Sequence, residues 1–181
     1  MTCIIGVERN NHIWIGGDSC SSNYYENRVI KYPKVFSSGP FLIGYTSSFR
    51  MGQLLQFSLK FPEENKKAYL RGDYEFMVSG FVNAIRECLK EGGFSEIENN
   101  QEHGGEFIVG YRHRLYQVYS DFQVTCFEDG IYACGSGSQY AVGALTHLLD
   151  IDPVDVAIEK ALRTAQKYST LVLPPFTILK D

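Results

Sequence analysis

The chain has 181 residues, 44% of them hydrophobic, which is enough for a substantial core in a single domain spanning 1–181 and leaves little for a second. Its formal net charge of −4 and its dispersed basic residues, clustered only briefly at Lys66-Lys67 and Arg112-His113-Arg114, exclude nucleic acid and an anionic membrane surface as expected partners. Five cysteines (Cys3, Cys20, Cys88, Cys126, Cys134) without a CxxC pair argue for free thiols in a reducing compartment, and neither a signal peptide nor an apolar run of membrane-spanning length is present, so the cytosol is expected.

Residues 3–9 (CIIGVER) and 12–18 (HIWIGGD) are short runs rich in β-branched residues, separated by Asn10-Asn11, a pair that tolerates the positive φ of a tight turn. They predict an opening hairpin. Residues 20–28 are polar and loop-like; RVIKYPKVF and FLIGYTSS, either side of SSGP, predict two further strands and hence a four-stranded sheet in the first quarter. From Phe49 to about Phe61 the apolar spacing turns helical, with Met51, Leu54, Leu55 and Leu59 on one side. Beyond the polar linker PEENKKAYLRG, Asp73 is the expected N-cap of a second helix that runs to about Glu91 and stops at Gly92-Gly93.

Residues 94–104 are turn-rich. EFIVGYR, RLYQVYS, FQVTCFE and IYACGSG then predict a second set of strands, Ser138 opens a helix, Asp152-Pro153 opens another that reaches Tyr168, and TLVLPPFTIL predicts a closing strand interrupted by its Pro pair. Sheet, two helices, sheet, two helices, strand is an order that suits an α+β fold of four layers, α/β/β/α, with two antiparallel sheets stacked between helices.

Thr2 follows the initiator Met, and a small residue there is one that methionine removal accepts. An N-terminal Thr is a self-contained nucleophile, because its own α-amine can take the hydroxyl proton. Such a site needs a nearby cation to lower the amine's pKa, a carboxylate to hold that cation, and backbone N–H groups aimed at the developing oxyanion. Asp18 ends the second strand of the hairpin, near Thr2 at the start of the first, and Lys34 lies in the strand that follows.

Thr2, the GGDS at 16–19 and Lys34 at this spacing, with GSGS at 135–138 and the PPFTIL ending, resemble the proteasome β-subunit family, nearest to its bacterial two-component heat-shock protease branch. The resemblance spans nearly the whole chain. It implies a threonine-type endopeptidase in which Thr2 is the nucleophile once Met1 is removed, Lys34 tunes the amine, Asp18 orients Lys34, Ser136 and Ser169 support the amine, and the N–H of Ser47 receives the oxyanion, with Tyr45 and Thr46 helping to form the pocket for the residue before the cut. No metal or cofactor is implied. Expected partners are further copies in homo-oligomeric stacked rings, an unfolded protein or peptide substrate, and a separate ATP-driven unfoldase, because the chain has no GxxxxGK[ST] loop.

The chain departs from that pattern at two places. Ser47 stands where the family usually has Gly, and Lys167 stands where an Asp is expected near the end of the last long helix. Two alternatives follow: a non-catalytic ring or scaffold subunit that retains Met1, and a small-molecule amidase of the same fold. Taken one at a time, the same residues have plainer readings: Thr2 as a frayed terminus, Asp18 and Lys34 as a structural ion pair, Cys3 as a small core residue. His12, His103, His113 and His147 are too scattered to suggest a dyad, and surface or satisfied core positions are their default.

Overall fold

The computed structural model describes residues 2–23, 25–61 and 72–181. Met1, Tyr24, the Lys66-Lys67 pair and all of the predicted linker except Gly72 lie outside them. Strands β1 (Ile4–Arg9) and β2 (His12–Gly17) form the opening hairpin, closed by Asn10 and Asn11 at φ 53° and 59°. Two consecutive positive φ values give the turn whose twist matches paired strands, which is why the Asn pair was a readable signal.

Cys20–Ser22 (β3) and Asn27–Val29 (β4) pair as a small ribbon where the sequence suggested a loop. The predicted strand RVIKYPKVF is broken between β4 and β5 (Val35–Ser38), around Pro33, so that Lys34 sits in a connection just ahead of β5. Strand β6 (Phe41–Tyr45) completes the first quarter. Helix α1 is Phe49–Phe57, shorter than its apolar pattern. Helix α2 begins as Asp73–Phe76, passes through a π-helical turn at Met77–Phe81 and continues as Val82–Glu91. Its N-cap is Gly72, with Asp73 as the first helical residue, and Gly93 at φ 69° ends it as expected.

A second ribbon, Glu96–Glu98 (β7) with Gln101–His103 (β8), replaces the predicted turn region. Then come β9 (Phe107–Tyr111), β10 (Arg114–Val118), the two-residue β11 (Val124–Thr125), β12 (Ile131–Cys134), α3 (Ser138–Leu148), α4 (Val154–Tyr168) and β13 (Thr177–Lys180), the last starting only after the Pro pair.

The sheets are interleaved, not consecutive. One runs β12-β1-β2-β13 and the other β11-β10-β9-β6-β5, so the expected four-stranded sheet of the first quarter is split between two sheets and the ribbon. Sequence adjacency marks hairpins well, but it cannot tell β5 to pass over to the other sheet. Alternation along β1 shows the layering: Ile4 joins Ile13, Ile15, Val35, Leu42, Ile108, Leu115 and Tyr132 between the sheets, while Ile5 and Val7 point the other way onto α3 and α4. Ala157, Ala161 and Ala165 recur every four residues along α4, keeping its buried face thin with Ile158 and Leu162 beside it. On the far side Met51, Leu54 and Leu55 of α1 and Met77, Phe81, Ile85 and Leu89 of α2 cover Ile43, Phe107 and Val109. Each such side chain contributes about 1.5–3 kcal/mol by leaving water. The result is a four-layer α/β/β/α sandwich, with the start of β1 held among late parts of the chain.

Candidate active site

The GGD at the end of β2 brings a carboxylate to the start of β1. Asp18 is buried and saturated: Oδ1 accepts from Cys3 N–H (3.0 Å) and Lys34 Nζ (3.0 Å), and Oδ2 accepts from Cys20 N–H (2.7 Å) and Leu173 N–H (3.4 Å). Lys34 is buried as well, at 1% exposure, and its Nζ also donates to Thr2 Oγ1 at 2.8 Å. A buried ion pair persists only when its remaining hydrogen-bonding capacity is met, and here three backbone amides do that. Burial pulls the Lys34 ammonium below the ordinary lysine value, and the Asp18 carboxylate opposes that pull.

Thr2 is held from the far end of the chain. Its N–H donates to Ser136 Oγ (3.3 Å), while its carbonyl accepts from Gly137 N–H and from Ser136 Oγ, both at 3.3 Å. Gly135 makes this approach possible. It sits at φ 92°, and a Cβ there would lie 2.3 Å from the Thr2 carbonyl oxygen.

After β6 the chain turns through Ser47 at φ 68°. A left-handed residue is the reason a Gly suits this position; Ser47 holds the conformation with its Oγ accepting from Glu106 N–H at 3.1 Å. Its own N–H has no acceptor among the described residues. Ser48 then caps α1, accepting from Arg50 and Met51 N–H, so the positive end of that helix faces the same space. Thr2, Ser22, Tyr45, Thr46, Ser47, Ser48, Phe49 and Arg50 line a cleft of about 330 Å³.

Thr2, Asp18, Lys34 and Ser136 are therefore brought together, and Ser47 borders the same cleft. Ser169 is not joined to them: it caps the C-terminus of α4, and its Oγ accepts from Leu171 N–H at 3.3 Å. Lys167 is exposed, with Nζ 5.4 Å from the ring centroid of Tyr168, so it presents its charge to solvent. Cys3 and Cys20 are buried, and burial followed by the Asp18 charge pushes the Cys3 thiol up to about 12 and Cys20 above its usual value. Three residues escaped the sequence reading: Leu173, whose amide braces Asp18, and Phe49 and Arg50, which form one side of the cleft. No spacing rule points to a backbone donor 155 residues away from its acceptor.

Neither a protein-family model nor a curated protein matches the chain. Solved structures do. The chain is similar to Thiobacillus denitrificans BPH (TM-score 0.79, 18% identity, 99% of this chain and 97% of that one), which has also been solved in complex with epoxomicin (TM-score 0.77, 17% identity, 99% and 97%). It is also similar to the HslV of Trypanosoma brucei (TM-score 0.65, 18% identity, 98% of each chain) and to an Anbu mutant from Hyphomicrobium sp. strain MC1 (TM-score 0.69, 15% identity, 98% and 80%). The fold is that of the proteasome β-type N-terminal-nucleophile hydrolases.

Proposed function

We propose that this chain is a threonine peptidase subunit of a proteasome-like, self-compartmentalising protease. The observation that carries the reading is the buried relay in which Lys34 Nζ donates both to Thr2 Oγ1 and to Asp18 Oδ1 at the edge of an open cleft. Removal of Met1 frees the Thr2 α-amine. Thr2 Oγ then attacks a peptide carbonyl carbon while the amine takes the hydroxyl proton. Lys34 lowers the amine's pKa, Asp18 orients Lys34, and Ser136 holds the amine. Negative charge on the carbonyl oxygen is met by the Ser47 N–H. Collapse breaks the C–N bond, the amine's proton passes to the leaving nitrogen, and water hydrolyses the resulting ester.

Ser169 falls outside this scheme, its hydroxyl being engaged by Leu171 N–H at the end of α4. The likeness to HslV and Anbu supports assembly into stacked rings, the free thiols fit a reducing compartment such as the cytosol, and unfolding energy would come from an ATP-driven partner, since the sequence carries no Walker-type loop.

The test uses protein made without an N-terminal tag. Intact mass reports whether residue 1 is Met or Thr, and an epoxyketone probe then reacts only with a residue that offers a hydroxyl and a free α-amine together. A one-to-one adduct on Thr2, lost in Thr2→Ala, is the expected result. A chain that keeps Met1 and takes no probe is the scaffold subunit instead. Probe labelling by a monomer with an open cleft would favour a small-molecule amidase of this fold.

A further inference from the structure

At the other end of the β1–β2 hairpin from Thr2, roughly 20 Å along a six-residue strand, three side chains from separate segments converge. His12 opens β2, His113 lies in the tight turn between β9 and β10, and Asp181 follows β13. His12 Nδ1 is 3.4 Å from Asp181 Oδ1, His113 Nδ1 is 2.5 Å from Oδ2, and the ligand atoms of the three residues all lie within 4.8 Å of one another. The carboxylate is fixed by backbone: Ile13 N–H donates to Asp181 Oδ1 at 3.1 Å, and Asp181 N–H donates to Ile13 O at 3.3 Å.

From this juxtaposition we infer that His12, His113 and Asp181 form a binding site for a borderline divalent transition-metal ion such as Zn2+ or Ni2+. Two imidazole nitrogens and one carboxylate select that class, whereas Mg2+ and Ca2+ want oxygen alone. Two ligands each about 2.1 Å from one ion at a tetrahedral angle stand roughly 3.4 Å apart, which is the His12–Asp181 spacing. The shorter His113 contact is a hydrogen-bonded one, and the ion takes the place of its proton. His113 is half exposed on a turn, so its ring has room to withdraw by the needed fraction of an ångström. Three protein ligands leave a position for water. Because β2 and β13 belong to one sheet and the β9–β10 turn to the other, the ion ties the two sheets together at this end of the sandwich.

Trp14, the only tryptophan in the chain, supplies the readout, its ring centroid lying 5.9 Å from that of His12. The full-length untagged protein is titrated with Ni2+, which quenches a nearby indole, and with Zn2+ by calorimetry. The expected results are saturable quenching, one Zn2+ per chain, and loss of about tenfold or more in affinity for both ions in His113→Gln and in His12→Gln/His113→Gln. The glutamines can still hydrogen-bond Asp181, and circular dichroism confirms that these variants fold. Absence of saturable binding, or binding of either ion unchanged in the double variant, overturns the assignment.

Discussion

Cutting the buried pair at Lys34 should cost less than cutting it at Asp18. Removing one partner of a buried ion pair destabilises by about 3–5 kcal/mol. In Lys34→Met the carboxylate keeps the N–H groups of Cys3, Cys20 and Leu173, at 3.0, 2.7 and 3.4 Å, so the loss should sit near the lower bound, about 3 kcal/mol. In Asp18→Ala those three donors lose their acceptor, and Lys34 retains Thr2 Oγ1. An orphaned buried donor costs about 1–3 kcal/mol, which moves this variant to about 5 kcal/mol or beyond. The double variant should be destabilised by less than the sum of the two, because it leaves no lone charge behind, whereas each single variant strands one. Urea unfolding at one fixed protein concentration, followed by far-ultraviolet circular dichroism, measures all three. Equal costs, the reverse order, or either single variant below about 1 kcal/mol would refute the account of how Asp18 is held.

Three further outcomes are expected. At Ser47, the change to Gly trades the lost Oγ bond against relief of a left-handed conformation and should be near neutral in stability, whereas Ser47→Ala loses the bond alone, at about 1 kcal/mol; under the proposed mechanism, which uses the backbone N–H as the oxyanion donor, peptide cleavage should survive both, and a dead Ser47→Gly would reject that role. Thiol alkylation of the native protein at pH 8 should modify Cys126, the exposed cysteine, and spare Cys3, which at about 12 is ionised to roughly one part in ten thousand; peptide mapping reads the outcome. The pH profile of kcat/KM should turn down on the alkaline side at a pH below 10.5, because burial lets the Lys34 proton leave early, and a profile flat to 10.5 would contradict it. The same shift has a definite sign in stability: between the lowered folded value and 10.5 the unfolded chain binds more protons, so this group's contribution grows with pH and is lost as pH falls through the folded value.

Much of this was legible from local chemistry. Asn10-Asn11 announced a turn because two positive φ values are needed there, and Gly92-Gly93 announced a helix end for a related reason. The β-branched runs marked strands but not their sheets, since β12 pairs with β1 across most of the chain's length and no residue type encodes that choice. Ribbons β3–β4 and β7–β8 are short, largely exposed and polar, so they carry no periodic apolar signal. In the candidate site, the meeting of Thr2, Asp18 and Lys34 was readable from spacing because a hairpin and the segment after it set their separation. Ser169 followed from resemblance alone, and its hydroxyl is engaged locally. The meeting of His12, His113 and Asp181 depends on three chain segments arriving at one corner, which single-residue reading cannot anticipate.

Thr2 is made long before the residues that place it. Ser136 lies 134 residues downstream of it, the β12 strand that flanks β1 begins at Ile131, and the Leu173 amide that braces Asp18 comes 155 residues after that carboxylate. A chain still emerging from the ribosome, with residues up to roughly 100 free, has its hairpin but not the parts that fix Thr2. Synthesis thus carries its own timer: the proposed nucleophile stays unassembled until translation has passed β12 and reached Leu173, and a truncated product that stops before β12 lacks the means to assemble it at all.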